Sequence, residues 1–180
     1  MSIAITGGIG EGKSTVLAHI ASFGFRTASA DSVAREIFSQ PAINESLARL
    51  VGVSGPISSQ NLRAAIVQSP GIRRAVNRIM HPAVMEAIRQ SGAEFVEVPL
   101  LVEACLQGRF ASIWVVTCGP EAQVERLRAR YGPNVDVRMV LNTQLPTSSK
   151  IPFADEVIRT NCSDEAVRRD ISMALARRFE

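Results

Sequence analysis

Apolar positions along this chain alternate between two spacings. Residues 2–6, 25–31, 94–101, 111–118 and 156–160 form short runs that are mostly apolar or β-branched. Such runs predict strands buried on both faces. The second would end on Asp31, and the third would turn at Pro99. Between them the apolar residues fall at helical spacing over 14–23, 32–38, 44–50, 59–68, 71–90, 121–130, 136–145 and 164–178. Gly24 stops the first of these, and Gly52, Gly55, Pro56, Pro70 and Gly71 punctuate the block between 40 and 92. The 71–90 segment is expected to run on through His81-Pro82. Strands alternating with helices predict an α/β fold with a doubly wound parallel sheet. The helical block, about residues 32–92, reads as an insertion into a single domain spanning residues 1–180. In such folds ligands gather at the carboxyl ends of the strands.

One segment carries explicit chemistry. Gly7-x-x-x-x-Gly12-Lys13-Ser14 follows the first strand and opens the first helix. Glycines let the backbone turn its N–H groups toward a single anion. The helix start adds free N–H groups and the positive end of its dipole. Lys13 supplies a mobile charge for the outer phosphates, and the Ser14 hydroxyl can ligate Mg²⁺. The expected ATP contacts are Gly8, Gly10, Glu11, Gly12, Lys13, Ser14 and Thr15. Glu97, an acid in an apolar run, is the expected second group near the metal.

Composition narrows the partners. The net charge of +3 and pI near 9.1 suit small anions. The basic residues are scattered and aromatics make up only 5%, so nucleic acid is not expected. Cys105, Cys118 and Cys162 lie far apart without C-x-x-C spacing, and read as free thiols in a reducing compartment. Neither a signal peptide nor a membrane span is evident, and the expected setting is the cytoplasm, as a monomer or weak oligomer.

The nucleotide loop alone leaves switch, motor and transferase open. No N-K-x-D motif for reading guanine is present, nor an aliphatic run ending in Asp-Glu. An inserted helical block and an arginine-bearing segment at about 126–150 suit a kinase, the first binding the acceptor and the second forming a lid.

The chain resembles the dephospho-CoA kinases in five stretches. These are residues 6–16, the Asp-x-x-Ala-Arg run from Asp31 to Arg35, His81-Pro82, the Pro-Leu-Leu-x-Glu run from Pro99 to Glu103, and residues 154–158. The resemblance implies a P-loop kinase fold. It also implies transfer from ATP to the ribose 3′-hydroxyl of dephospho-CoA, with ATP and dephospho-CoA as partners and Mg²⁺ as cofactor. It assigns Asp31 to the acceptor hydroxyl, beside Lys13 and Arg130 as catalytic groups. Arg35, His81, Pro99 and Leu100 would join Asp31 in holding the acceptor, and Lys150 would approach the nucleotide. Glu103 would cap the next helix.

Four positions depart from the family pattern. Ser29 stands where an aspartate is usual, and Gln60 lies in a stretch lacking an expected arginine. Lys150 replaces an arginine and Thr160 an asparagine. A kinase for another nucleotide-like or small alcohol, and a nucleotide-binding regulatory domain, are the alternatives these departures leave.

Overall fold

The computed structural model describes residues 2–178. β1 (Ile3–Gly7) is buried along its whole length. Its apolar run offers no polar face to water and therefore takes the centre of the sheet. Five strands run in the order β2 (Thr27–Ser29), β3 (Phe95–Glu97), β1, β4 (Ser112–Thr117), β5 (Glu156–Arg159). β1 pairs in parallel with β3, Ile5 opposite Glu97, and with β4, Gly7 opposite Val116. β4 pairs in parallel with β5. This is the parallel α/β sheet that the alternating pattern predicted.

The chain forms two compact units. One comprises the residues up to Thr27 and from Ala93 onward, the other Ala28–Gly92. In the first, Ile3, Ile5, Trp114, Val116 and Ile158 share one face of the sheet, as their two-residue period requires. They pack on Val16 and Ile20 of α1 (Lys13–Ser22) and on Val167, Ile171, Ala174 and Leu175 of α8 (Asp164–Arg178). Each large aliphatic buried there contributes roughly 1.5–3 kcal/mol. The Phe95 ring meets Phe25 and Trp114 edge-on, with centroids 5.3 Å apart in both pairs. α6 (Pro120–Tyr131) follows β4, and α7 (Val137–Leu141) follows α6.

The second unit holds α2 (Ala30–Ser39), α3 (Pro41–Val51), α4 (Ser59–Gln68) and α5 (Pro70–Ser91). They enclose a core of their own around Leu47, Ala48, Ile57, Leu62 and Val76. Ser58 and Ser69 cap α4 and α5 through their hydroxyls. α5 passes through His81-Pro82 without ending.

Three boundaries differ from the pattern's expectation. β2 stops at Ser29, and Asp31 lies in the first turn of α2 instead of closing a strand. An acid is stabilised there by the helix dipole, which favours starting the helix early. β3 stops at Glu97, so this residue ends the strand rather than lying within it. Pro99, two residues on, has no N–H for a ladder. The helix expected over 136–145 shortens to α7, because Asp136 caps it at Met139 N, 3.1 Å away, and the polar stretch before Pro146 turns away.

Candidate functional site

The glycine loop is held by contacts only glycine permits. A Cβ on Gly7, at φ +147°, would lie 2.2 Å from the Val116 carbonyl oxygen. Gly12 precedes α1 at φ +89°, where a Cβ would press on the Thr160 side chain at 3.0 Å. Lys13 opens the helix, and its Nζ donates to the Gly8 carbonyl at 2.8 Å. Ser14 and Thr15 follow on the exposed first turn. The loop is thus closed on itself and runs into the start of α1, the end of a helix that attracts an anion.

Four side chains outside the loop hold it in place. Thr160, just past β5, donates from Oγ1 to the Glu11 carbonyl at 2.8 Å. Arg126 of α6 donates to Thr160 Oγ1 at 3.0 Å, to the Thr160 carbonyl, and to the Gly10 carbonyl at 3.4 Å. Gln123 Nε2 donates to the Ile9 carbonyl at 2.8 Å. Thr147 Oγ1 accepts from Gly8 N at 3.0 Å. Glu11 is 2% exposed, its carboxylate bonded to Gly8 N, Thr117 and Thr147. Beside the loop, the α6 start, Leu141, Leu145, Pro146 and Ile151 help line a cavity of about 450 Å³.

Arg130 occupies the last turn of α6 and is exposed, its guanidinium 5.3 Å above the Tyr131 ring. Of the three arginines on this helix, Arg126, Arg128 and Arg130, Arg126 is the one bonded to the loop. Lys150 is completely buried. Its Nζ bonds Glu103 at 2.9 Å and the Pro99 carbonyl at 2.8 Å. Glu103 therefore caps no following helix; it takes Lys150 and the Leu145 N–H, the latter at 2.9 Å. Burial works against its charge, but the hydrogen bonds from Lys150 and the backbone outweigh it and hold the carboxyl below its ordinary 4.5. Pro99 is half-buried and Leu100 is 45% exposed.

Ser14 and Glu97 offer hard oxygen donors, the class that Mg²⁺ selects. Glu97 ends β3 opposite Ile5, on the strand beside the one that feeds the loop. The donor set fits the ion. Among the described residues no group of three or more His, Cys, Asp or Glu forms a metal site by itself. Burial pushes the Cys118 thiol up, so it stays protonated beside the loop.

The acceptor candidates lie in the other unit, apart from Pro99 and Leu100. Asp31 and Arg35 are exposed on α2, one turn apart, and Arg35 Nη2 bonds Ser32 Oγ at 2.9 Å. His81 is half-buried in α5, and burial holds its imidazole pKa below the ordinary 6.5. The loop anchors Gln123, Thr147 and Thr160 went unassigned in the sequence, as did Thr117, whose Oγ1 donates to the Glu11 carboxylate at 3.1 Å. Thr117 and Thr160 had a legible signal, since each lies at the carboxyl end of a strand. Thr147 had none.

Known proteins resemble this chain along nearly its full length. The family model described as dephospho-CoA kinase matches residues 1–165. The dephospho-CoA kinase of Rhizobium meliloti (strain 1021) is 34% identical, over 94% of this chain and 93% of its own. That of Escherichia coli (strain K12) is 30% identical, over 94% and 89%. A Thermus thermophilus crystal structure superposes with a TM-score of 0.83 at 30% identity, covering 98% of this chain and 97% of that one. Shikimate kinase from Aquifex aeolicus shares the fold at a TM-score of 0.57 and 15% identity, covering 98% and 96%.

Proposed function

The chain belongs to the dephospho-CoA kinase family, and from that premise we propose how its residues phosphorylate the ribose 3′-hydroxyl of dephospho-CoA at the expense of ATP. The observation that carries the reading is the closed glycine loop running into α1, with Lys13 at the helix start. Phosphoryl transfer asks the protein chiefly to position groups and stabilise charge.

The N–H groups at the start of α1 hold the phosphates, the Gly8 N–H being committed instead to Glu11 and Thr147, and Lys13 neutralises the outer two. Bound Mg²⁺ would spread the charge of the phosphate oxygens, held through Ser14 and, by way of water, Glu97. Arg130, exposed and with no carboxylate partner among the described ion pairs, stabilises charge on the phosphoryl group as it moves. Asp31 orients the 3′-hydroxyl and takes its proton as the new O–P bond forms and the bond to the β-phosphate oxygen breaks. Arg35 clamps an acceptor phosphate as a planar fork. His81, a neutral imidazole at pH 7, and the Pro99-Leu100 corner shape the acceptor's seat. The helical insertion is the acceptor-binding part, residues of about 126–150 act as a lid, and the cytoplasm is the setting. Among the described residues no helix is long and apolar enough to cross a membrane.

Protein incubated with Mg-ATP and dephospho-CoA is expected to yield coenzyme A and ADP in equal amounts. Asp31→Asn should lower turnover by about two to four orders of magnitude while ATP affinity hardly moves. ADP release that stays at background with dephospho-CoA but rises with a nucleoside monophosphate would replace this acceptor by another.

A further inference from the structure

We propose that Glu11 is a positioning residue: its buried carboxylate fastens the 147–149 turn to the phosphate loop and so sets the shape in which the loop binds nucleotide. The proposal rests on the ATP reading above and is independent of the acceptor.

A carboxylate removed from water costs several kcal/mol unless its oxygens are satisfied. Glu11 is 2% exposed, and its oxygens take three donors from three places. Gly8 N donates to Oε2 at 2.5 Å, from within the loop. Thr117 Oγ1, at the end of β4, donates to Oε1 at 3.1 Å. Thr147 Oγ1, far along the chain, donates to Oε2. The single Gly8 N–H proton is shared between Glu11 Oε2 and Thr147 Oγ1, as a three-centre bond. The Thr147 hydroxyl gives its one proton to Glu11 and accepts from Gly8 N, at 3.0 Å. The Thr117 hydroxyl likewise gives its proton to Glu11 and accepts from Gly119 N, at 3.2 Å. Bonds to a charged acceptor are the strong ones. The Glu11 carbonyl is also held, by Thr160. Glu11 is therefore tied at its backbone and at its side chain, and the carboxylate is committed inward.

The consequence follows from the triangle of Gly8 N, Glu11 Oε2 and Thr147 Oγ1. Gly8 is the residue whose carbonyl holds Lys13 Nζ. Removing the carboxylate takes away the acceptor shared by the Gly8 N–H and the Thr147 hydroxyl, leaves those two only their contact with each other, and so loosens the seat of Lys13. The Glu11 side chain thus acts on nucleotide through Gly8 and Lys13, with its carboxylate kept off the phosphates.

The test is calorimetric binding of Mg-ADP, without acceptor, to wild type, Glu11→Ala, Thr147→Val, the double variant and Thr147→Ser. Each of the first two variants should bind roughly tenfold more weakly, the worth of one charge-assisted hydrogen bond. The double variant should be no weaker than the weaker single, because both break one triangle. Thr147→Ser keeps the hydroxyl and should bind as wild type does. Single-variant losses that multiply in the double variant, affinities unchanged throughout, or a serine variant as weak as the valine variant each overturn the proposal. If Glu11→Ala does not fold, the valine and serine pair at Thr147 decides alone. Wild type that binds no Mg-ADP sinks the ATP reading and this proposal with it. Failure of dephospho-CoA as acceptor leaves the binding result, and the proposal, standing.

Discussion

Arg126 and Arg130 lie four residues apart on one face of α6. Their neighbours separate them. Arg126 is spent on Thr160 and the Gly10 carbonyl, whereas Arg130 stands exposed over Tyr131. Arg130→Ala is expected to cut the turnover number far more than it raises the Michaelis constant for ATP. Arg126→Ala should do the reverse, because it loosens the loop before any chemistry occurs. Steady-state kinetics on both variants checks the split, and near-normal turnover for Arg130→Ala would make it a surface residue. Lys150 and Glu103 make a second case at this scale. Removing the cation from a buried pair leaves an uncompensated charge, so Lys150→Met should cost about 3 kcal/mol near pH 7. Glu103's carboxyl is held below 4.5 when folded. Its contribution is therefore present above that ordinary value and disappears as pH falls through the lower, folded one. Urea unfolding of wild type and Lys150→Met should show the stability gap narrowing below about pH 4.5. A gap of constant size would place the loss in packing instead.

At the scale of elements, the strand that feeds the loop leaves no room for error. Gly7 ends β1 at φ +147°, and a methyl group there would meet the backbone of β4. Both strands are central, so neither can step aside. Gly7→Ala is expected to cost about 3 kcal/mol or more and to weaken Mg-ADP binding in parallel. Urea midpoints and calorimetry measure the two losses, and an unaltered midpoint would show that β1 and β4 can separate. Helices and strands were largely legible from spacing. The central strands and the long α5, through Pro82, follow their apolar pattern. The ends were less so. Asp31 was legible as an acid near a strand end, but local propensity could not show that the helix would start two residues earlier and claim it.

For the whole molecule, the two units invite separation. The Arg26 carbonyl accepts from Glu94 N at 2.8 Å and from Phe95 N at 3.2 Å. The chain therefore leaves the first unit and returns to it at adjacent points. A short Gly-Ser linker in place of residues 28–92 closes that gap at little entropic cost. The shortened protein is expected to bind Mg-ADP within about an order of magnitude of wild type. It should form no coenzyme A, since it lacks Asp31 and Arg35. Loss of nucleotide binding would mean that the first unit needs the second in order to fold.

The sequence by itself determined the parallel α/β sheet, the phosphate loop and the family, because these depend on local period and on residues contiguous along the chain. Gly7 to Thr15 carry their chemistry through their own backbone and neighbours, and no distant partner is needed to read them. What only the tertiary structure decided are pairings across long stretches of chain: Thr147 with Glu11, Thr160 with Arg126, Lys150 with Glu103. Thr160 in the family's asparagine position looked like a loss, yet its hydroxyl anchors the loop. Lys150 looked free to reach a phosphate, yet it is sealed against a carboxylate. The reason is the same in each case. A buried polar group must find a partner wherever the fold puts one, and spacing along the chain does not record which partner that will be.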